Sequence, residues 1–283
     1  MNNPPVSSRG TRSGHCPGRS HLPRPALSLP PLPVPLTSFI GREEVIARIA
    51  TVVRHPETRL LTLTGAGGVG KSRIAIKVAS DLQREFADGA GFFPLGTVRE
   101  PALVLPAIAR ALGIAEGDRQ SLIERLGAHL SDRQCLLVLD NFEQVTAAGP
   151  AIVNLLQAAP GVTMLVTSRA PLRVSGEMQF PIPPMTLPAS DAEVLDAEAV
   201  RLFMTRATAV RPDVASTEAI TPAIAEICRR LDGLPLAIEL AAARSNLLAP
   251  PVMRTRLNHR LPLLTSGPRD QPARLQTMHN AIA

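Results

Sequence analysis

Two kinds of apolar pattern alternate along the middle of the chain. Short continuous runs, "RLLTLTG", "QCLLVLDN" and "GVTMLVTSR", have the length and β-branched content of strands buried on both faces. "GAGFFPLGTV" reads as a further strand and "MQFPIPPM" as a short fifth one. Between them lie stretches whose apolar residues recur at helical spacing: "KSRIAIKVASDLQREF", "PALVLPAIARALGI", "DRQSLIERLGAHL" and "EQVTAAGPAIVNLLQAA". Strands alternating with helices predict an α/β protein with a parallel, doubly wound sheet. Ahead of the first strand, "TSFIGREEVIARIATVV" predicts a helix with Val45, Ile46 and Ile49 on one face. Thr37 or Ser38 is a candidate cap, although Gly41 points to a slightly later start.

After Pro188 the strand pattern stops. "DAEAVRLFMTRATAV", "TPAIAEICRRL" and "PLAIELAAARSNLL" predict three helices, hence a small all-α domain behind the α/β one. The expected organisation is a leader over 1–36, a nucleotide-binding domain over 37–188, a helical domain over 189–262 and a linker over 263–283. The leader is rich in Pro, Ser, Gly and Arg, ends in "PRPALSLPPLPVPL", and is expected to be disordered or polyproline-like. It lacks the continuous apolar core of a secretory signal.

Charge changes this picture little. The chain carries +6, the first 36 residues +4 and residues 244–283 +5, so the middle carries −3. The basic character lies at the ends, and a nucleic-acid reading based on it is weak. Tryptophan and tyrosine are absent, which removes most base-stacking side chains. No apolar run reaches the ~18 residues of a membrane-span candidate. Cys16, Cys135 and Cys228 have no metal-ligand spacing, and Cys135 and Cys228 read as small core residues, in keeping with a reducing cytoplasm.

The first strand runs into "GAGGVGKS", Gly65 to Ser72, a full match to G-x-x-x-x-G-K-[ST]. Gly65, Ala66, Gly67, Gly68, Val69 and Gly70 form a turn whose amides can face phosphates, and the following helix adds its positive end. Lys71 is expected on the β- and γ-phosphates of ATP or ADP, Ser72 on Mg2+, and Arg73 beside them. "CLLVLDNFE" ends a strand in Asp140, the candidate second Mg2+ ligand, because phosphates lie at the carboxyl edge of such a sheet. Asn141 stands where many fast P-loop ATPases carry a second acid, and an amide cannot take a proton from water. Glu143 is either a substitute for that acid or a cap of the next helix. Arg169, just past "TMLVTS", either reaches the γ-phosphate or pairs with a nearby acid.

These motifs together resemble the STAND class of P-loop NTPases in its NB-ARC-like bacterial branch, and look most like the ATPase module of LuxR-type and AfsR-type transcriptional regulators. The resemblance rests on "FIGREE" (39–44), "GAGGVGKS" (65–72), "LLVLDNFEQV" (136–145) with "TSR" (167–169), and "LDGLPLAIELAAAR" (231–244). It implies a three-layer P-loop sandwich followed by the helical domain. It places Ile40, Gly41 and Arg42 on the adenine side, Pro235 against adenine or ribose, and Arg169 as the sensor of the γ-phosphate. It further implies an ADP-closed, ATP-open switch with slow hydrolysis and self-association in the ATP state. A winged helix is expected beyond the helical domain, with DNA contacted only through domains outside this chain. "TMHN" at 277–280 is not that domain's histidine motif, since no winged helix precedes it. The alternatives are an AAA-like turnover ATPase and a truncated, non-catalytic nucleotide-binding scaffold.

Overall fold

A computed structural model describes residues 27–114, 121–190, 193–212 and 220–257. Its sheet has five strands: β1 (Leu60–Thr64), β2 (Ala90–Pro94), β3 (Cys135–Asp140), β4 (Val162–Thr167) and β5 (Glu177–Pro181). The order is β2-β3-β4-β1-β5, and every neighbouring pair is parallel, with Leu165 of β4 opposite both Leu61 and Val138. The chain is an α/β P-loop-type sandwich.

The side-chain period of two sorts the central strands between two cores. Cys135, Leu137 and Leu139 of β3, with Met164 and Val166 of β4, face α3 (Val104–Ala111), α4 (Leu122–Leu130) and α5 (Gly149–Ala158). Leu136, Val138 and Leu165 turn to the other side with Leu61 and Leu63, under α1 (Glu43–Arg54) and α2 (Lys71–Leu82). Every residue of β3 is buried, which is why its sequence shows no polar alternation. A third core lies among α6 (Glu198–Val210), α7 (Thr221–Arg230), α8 (Pro235–Ala242) and α9 (Pro250–Arg256), centred on Phe203, Ile224, Ile227 and Ile238.

Three details differ from the sequence reading. Neither Thr37 nor Ser38 caps α1, which starts at Glu43 behind Arg42 in the left-handed region (φ 69°). The helix expected from Glu143 is instead two 3-10 turns, Phe142–Gln144 and Thr146–Ala148, before α5 begins at Gly149. Pro150 explains the start, since proline fits the first helical turn and not the interior. The leader also has a described part. Residues 27–36 form no helix or strand, Leu27, Leu29 and Leu32 pack against the two sheet cores, and the Phe92 N–H donates to the Pro30 carbonyl at 3.1 Å. That covers the exposed edge of β2. Residues 1–26, Cys16 among them, and 258–283, with "TMHN", lie outside the described residues.

Gly233 joins the helical layer to the strand exit. It sits at φ 64°, its carbonyl accepts from Met185 N–H at 2.9 Å, and an added Cβ would lie 2.5 Å from the Met185 carbonyl oxygen. Gly233→Ala is therefore expected to cost about 2–3 kcal/mol, read as a lower urea midpoint with an unchanged slope. A second expectation concerns pH. Burial pushes the thiols of Cys135 and Cys228 up from 9.0 to about 12. Acids whose pKa is raised by folding stabilise fully below the unfolded value, and that contribution is lost as pH rises. Stability should fall between about pH 9 and 12, and both thiols should stay unreactive toward a disulfide reagent until the chain unfolds.

Candidate nucleotide-binding site

The glycine loop leaves β1 and enters α2. Gly65, Gly68 and Gly70 all have positive φ, at 146°, 78° and 96°. Only glycine takes these angles without strain, so the loop can curl back on itself. The described hydrogen bonds give no backbone acceptor to the N–H groups of Gly67, Gly68, Gly70, Lys71 and Ser72. A run of donors at a helix N-terminus is an anion site in waiting. Lys71, buried at 8% exposure, donates its ammonium to the carbonyls of Gly65 (2.8 Å) and Ala66 (3.1 Å). Burial lowers its pKa; Glu143 and Asp140 oppose that shift, and Arg169 adds to it.

At the carboxyl end of β3, Asp140 is 4% exposed and accepts from the Thr167 hydroxyl at 2.6 Å. The same Thr167 oxygen accepts the Asn141 N–H at 3.0 Å. Thr167 thus fixes the carboxylate and the next peptide together, a part the sequence reading left unassigned. Asn141 takes the left-handed conformation (φ 64°) that asparagine tolerates better than most residues. Glu143 does not cap α5; it lies in the Phe142–Gln144 turn. Its Oε1 is 3.6 Å from Arg169 Nε and accepts from Asn141 Nδ2 at 3.4 Å. The acid-pairing alternative for Arg169 is thus the arrangement observed. Lys71, Asp140, Glu143 and Arg169 come together at one end of the loop.

At its other end a cleft opens between the sheet layer and the helices, lined by Ile40, Arg42, Val69, Arg73, Pro235 and Glu239 among others. Arg42 is 3% exposed and donates to the carbonyls of Pro183 (2.5 Å) and Val69 (3.4 Å), while its backbone N–H donates to Glu198. Burial lowers its pKa and Glu198 opposes the shift. Gly41, at φ 68°, has no room for a Cβ, which would lie 2.8 Å from Glu198 Cγ. Arg73 and Arg206 both donate to Glu239 Oε1, at 3.1 and 3.0 Å, and both also reach the Ser38 carbonyl. Glu239 and Arg206 were missed from sequence; the one signal was a lone acid in the otherwise apolar "PLAIELAAA". Pro235 opens α8 over the loop: the Leu236 N–H donates to the Gly68 carbonyl at 3.2 Å.

The residues fit a nucleoside diphosphate or triphosphate with its metal. The unpaired amides and Lys71 suit phosphate oxygens, and Ser72 with Asp140 offers the hard oxygen donors Mg2+ takes.

A glycine loop between a strand and a helix at the carboxyl edge of a parallel sheet defines a P-loop NTPase. Residues 54–174 match the family model described as an AAA domain. The chain carries a P-loop NTPase domain of this AAA type, and its relatives include HTH-type and AfsR-type regulators. It is 39% identical over 227 residues to a protein described as an HTH-type transcriptional regulator from Mycobacterium tuberculosis, covering 80% of this chain and 25% of that protein. It is 29% identical over 225 residues to the regulatory protein AfsR of Streptomyces griseus, covering 75% and 21%. The chain thus spans about a quarter of the length of such relatives. In fold it is similar to a chain of the Drosophila ORC bound to DNA, with a TM-score of 0.55 at 12% identity over 82% of this chain and 70% of that one.

Lys71→Ala removes the one ammonium in the loop. It is expected to abolish phosphate-dependent nucleotide affinity while circular dichroism and the melting transition keep their native form. Unchanged ATP binding would refute the site.

Proposed function

We propose that this chain is the ATP/ADP-binding switch module of a bacterial transcriptional regulator, STAND-class and NB-ARC-like, with slow Mg-dependent ATP hydrolysis. The observation that carries the reading is the seat of α8 on the glycine loop. A switch needs an element whose position depends on what the loop holds. Here the Leu236 N–H bonds the Gly68 carbonyl directly, so phosphate-driven changes in the loop act on α8 and the helices packed with it.

In this reading the nucleotide-binding unit spans 37–188, the helical unit 189–262, and 263–283 leads onward. Ile40, Gly41 and Arg42 take the adenine side, and Pro235 packs on adenine or ribose. The loop from Gly65 to Ser72, with Arg73, holds the phosphates, and Ser72 and Asp140 hold Mg2+. A metal held there would neutralise phosphate charge. Lys71 gives up its loop carbonyls for phosphate oxygens, and Arg169 reads the terminal phosphate. Asn141, beside Asp140, can orient water but cannot deprotonate it. That supports a slow clock rather than rapid turnover. Self-association in the ATP state, a cytoplasmic setting and DNA contact through domains outside this chain complete the reading. No described helix is long and apolar enough to cross a membrane.

Calorimetric titration with Mg-ADP and Mg-ATP tests it. One-to-one binding with clearly different affinities is expected; equal affinities, or no binding by folded protein, would overturn it. Asn141→Asp suits the left-handed backbone and should raise hydrolysis by about tenfold or more if a missing carboxylate limits the step. No acceleration would assign the limit to opening of the cleft.

A further inference from the structure

Glu143 is placed unusually for a surface acid. One carboxylate oxygen, Oε1, lies 3.6 Å from Arg169 Nε and takes the Asn141 amide at 3.4 Å. The other, Oε2, is sealed from solvent with no hydrogen-bond partner. Burying half a carboxylate unpaired is costly, and such groups persist where a function requires them. Its surroundings are cationic, since Glu143 supports the charge of Lys71 ahead of Asp140 in strength. Arg169, whose guanidinium has the planar fork suited to phosphate oxygens, is held by this carboxylate instead.

We propose that Glu143 is an internal competitor of the terminal phosphate: its carboxylate occupies Arg169 and thereby sets the preference of this site for a nucleoside diphosphate over a triphosphate. The proposal rests on the switch reading above and names the residue that tunes it. A diphosphate leaves the Glu143–Arg169 pair intact. A triphosphate must take Arg169 from Glu143 and stand beside a carboxylate of like charge. Both terms penalise the third phosphate alone. Glu143 is on this account a specificity-determining residue.

The test is calorimetry of the whole chain, wild type and Glu143→Gln, with Mg-ADP and with the slowly hydrolysed analogue Mg-ATPγS, beside steady-state hydrolysis of ATP. The variant should bind the triphosphate about tenfold more tightly and change its diphosphate affinity by less than about twofold. In an Arg169→Gln background the same substitution should give a clearly smaller selective gain, because only the like-charge repulsion is left to relieve. Glu143→Ala deletes the same charge and serves if the glutamine variant melts early. Equal changes for both nucleotides, or none, would overturn the competition while leaving the switch standing. Loss of hydrolysis with an unchanged affinity ratio would overturn it too, and would make Glu143 the base. A wild-type chain that binds neither nucleotide would remove the switch reading itself, and the competition with it.

Discussion

The site depends on Gly68 having no side chain. An added Cβ would lie 3.0 Å from Leu236 Cβ, and the residue's positive φ already excludes most alternatives. Because the loop is bare at that point, the start of α8 can come close enough for Leu236 N–H to bond the Gly68 carbonyl. That contact closes the cleft on one side and brings Pro235 over Gly70, at 3.9 Å from where its Cβ would be. At this point the helical layer is docked on the phosphate loop by a main-chain hydrogen bond.

Around that contact lie two buried cations, Arg42 and Lys71, and two half-buried ones, Arg73 and Arg206, all served by glutamates. Arg42 has Glu198, Lys71 has Glu143, and Arg73 shares Glu239 with Arg206. A buried cation without such a partner would cost several kcal/mol. Two of these glutamates, Glu198 on α6 and Glu239 on α8, belong to the helical layer with Arg206, while Arg42 and Arg73 belong to the sheet layer. The electrostatic balance of the cleft is thus split across the two layers. Separating them would expose unpaired charges on both sides unless a ligand or water replaced the lost partners. Charge and geometry both tie the two layers at the same place.

Much of this was legible in the sequence because strong local patterns carried it. The buried strands, the glycine loop and Asp140 at a strand end each follow from a short run of residues. Even the short fifth strand in "MQFPIPPM" was found, as β5. What could not be read depends on long-range contacts. The pairing of Glu143 with Arg169 joins two loops, and the Glu239 clamp joins α2, α6 and α8; neither leaves a periodic trace. The Thr167 bridge to Asp140 and Asn141 lay hidden because threonine before "SR" looks like ordinary strand content. The helix misread after Asn141 failed for a different reason, since its residues fit a helix until Pro150 sets the first turn. α9 was missed because Pro250 and Pro251 look like a break where they serve as a start.

The proline-rich stretch along β2 also bears on how copies of this protein meet in concentrated solution. A parallel sheet ends in rows of open peptide groups, and such rows can recruit a strand from another molecule. Here the Phe92 amide is already committed to the Pro30 carbonyl. The covering segment is a poor template for a further strand, because Pro30, Pro31, Pro33 and Pro35 have no N–H to offer. Pairing is therefore discouraged from propagating outward, and the β2 edge is guarded by prolines from the same chain.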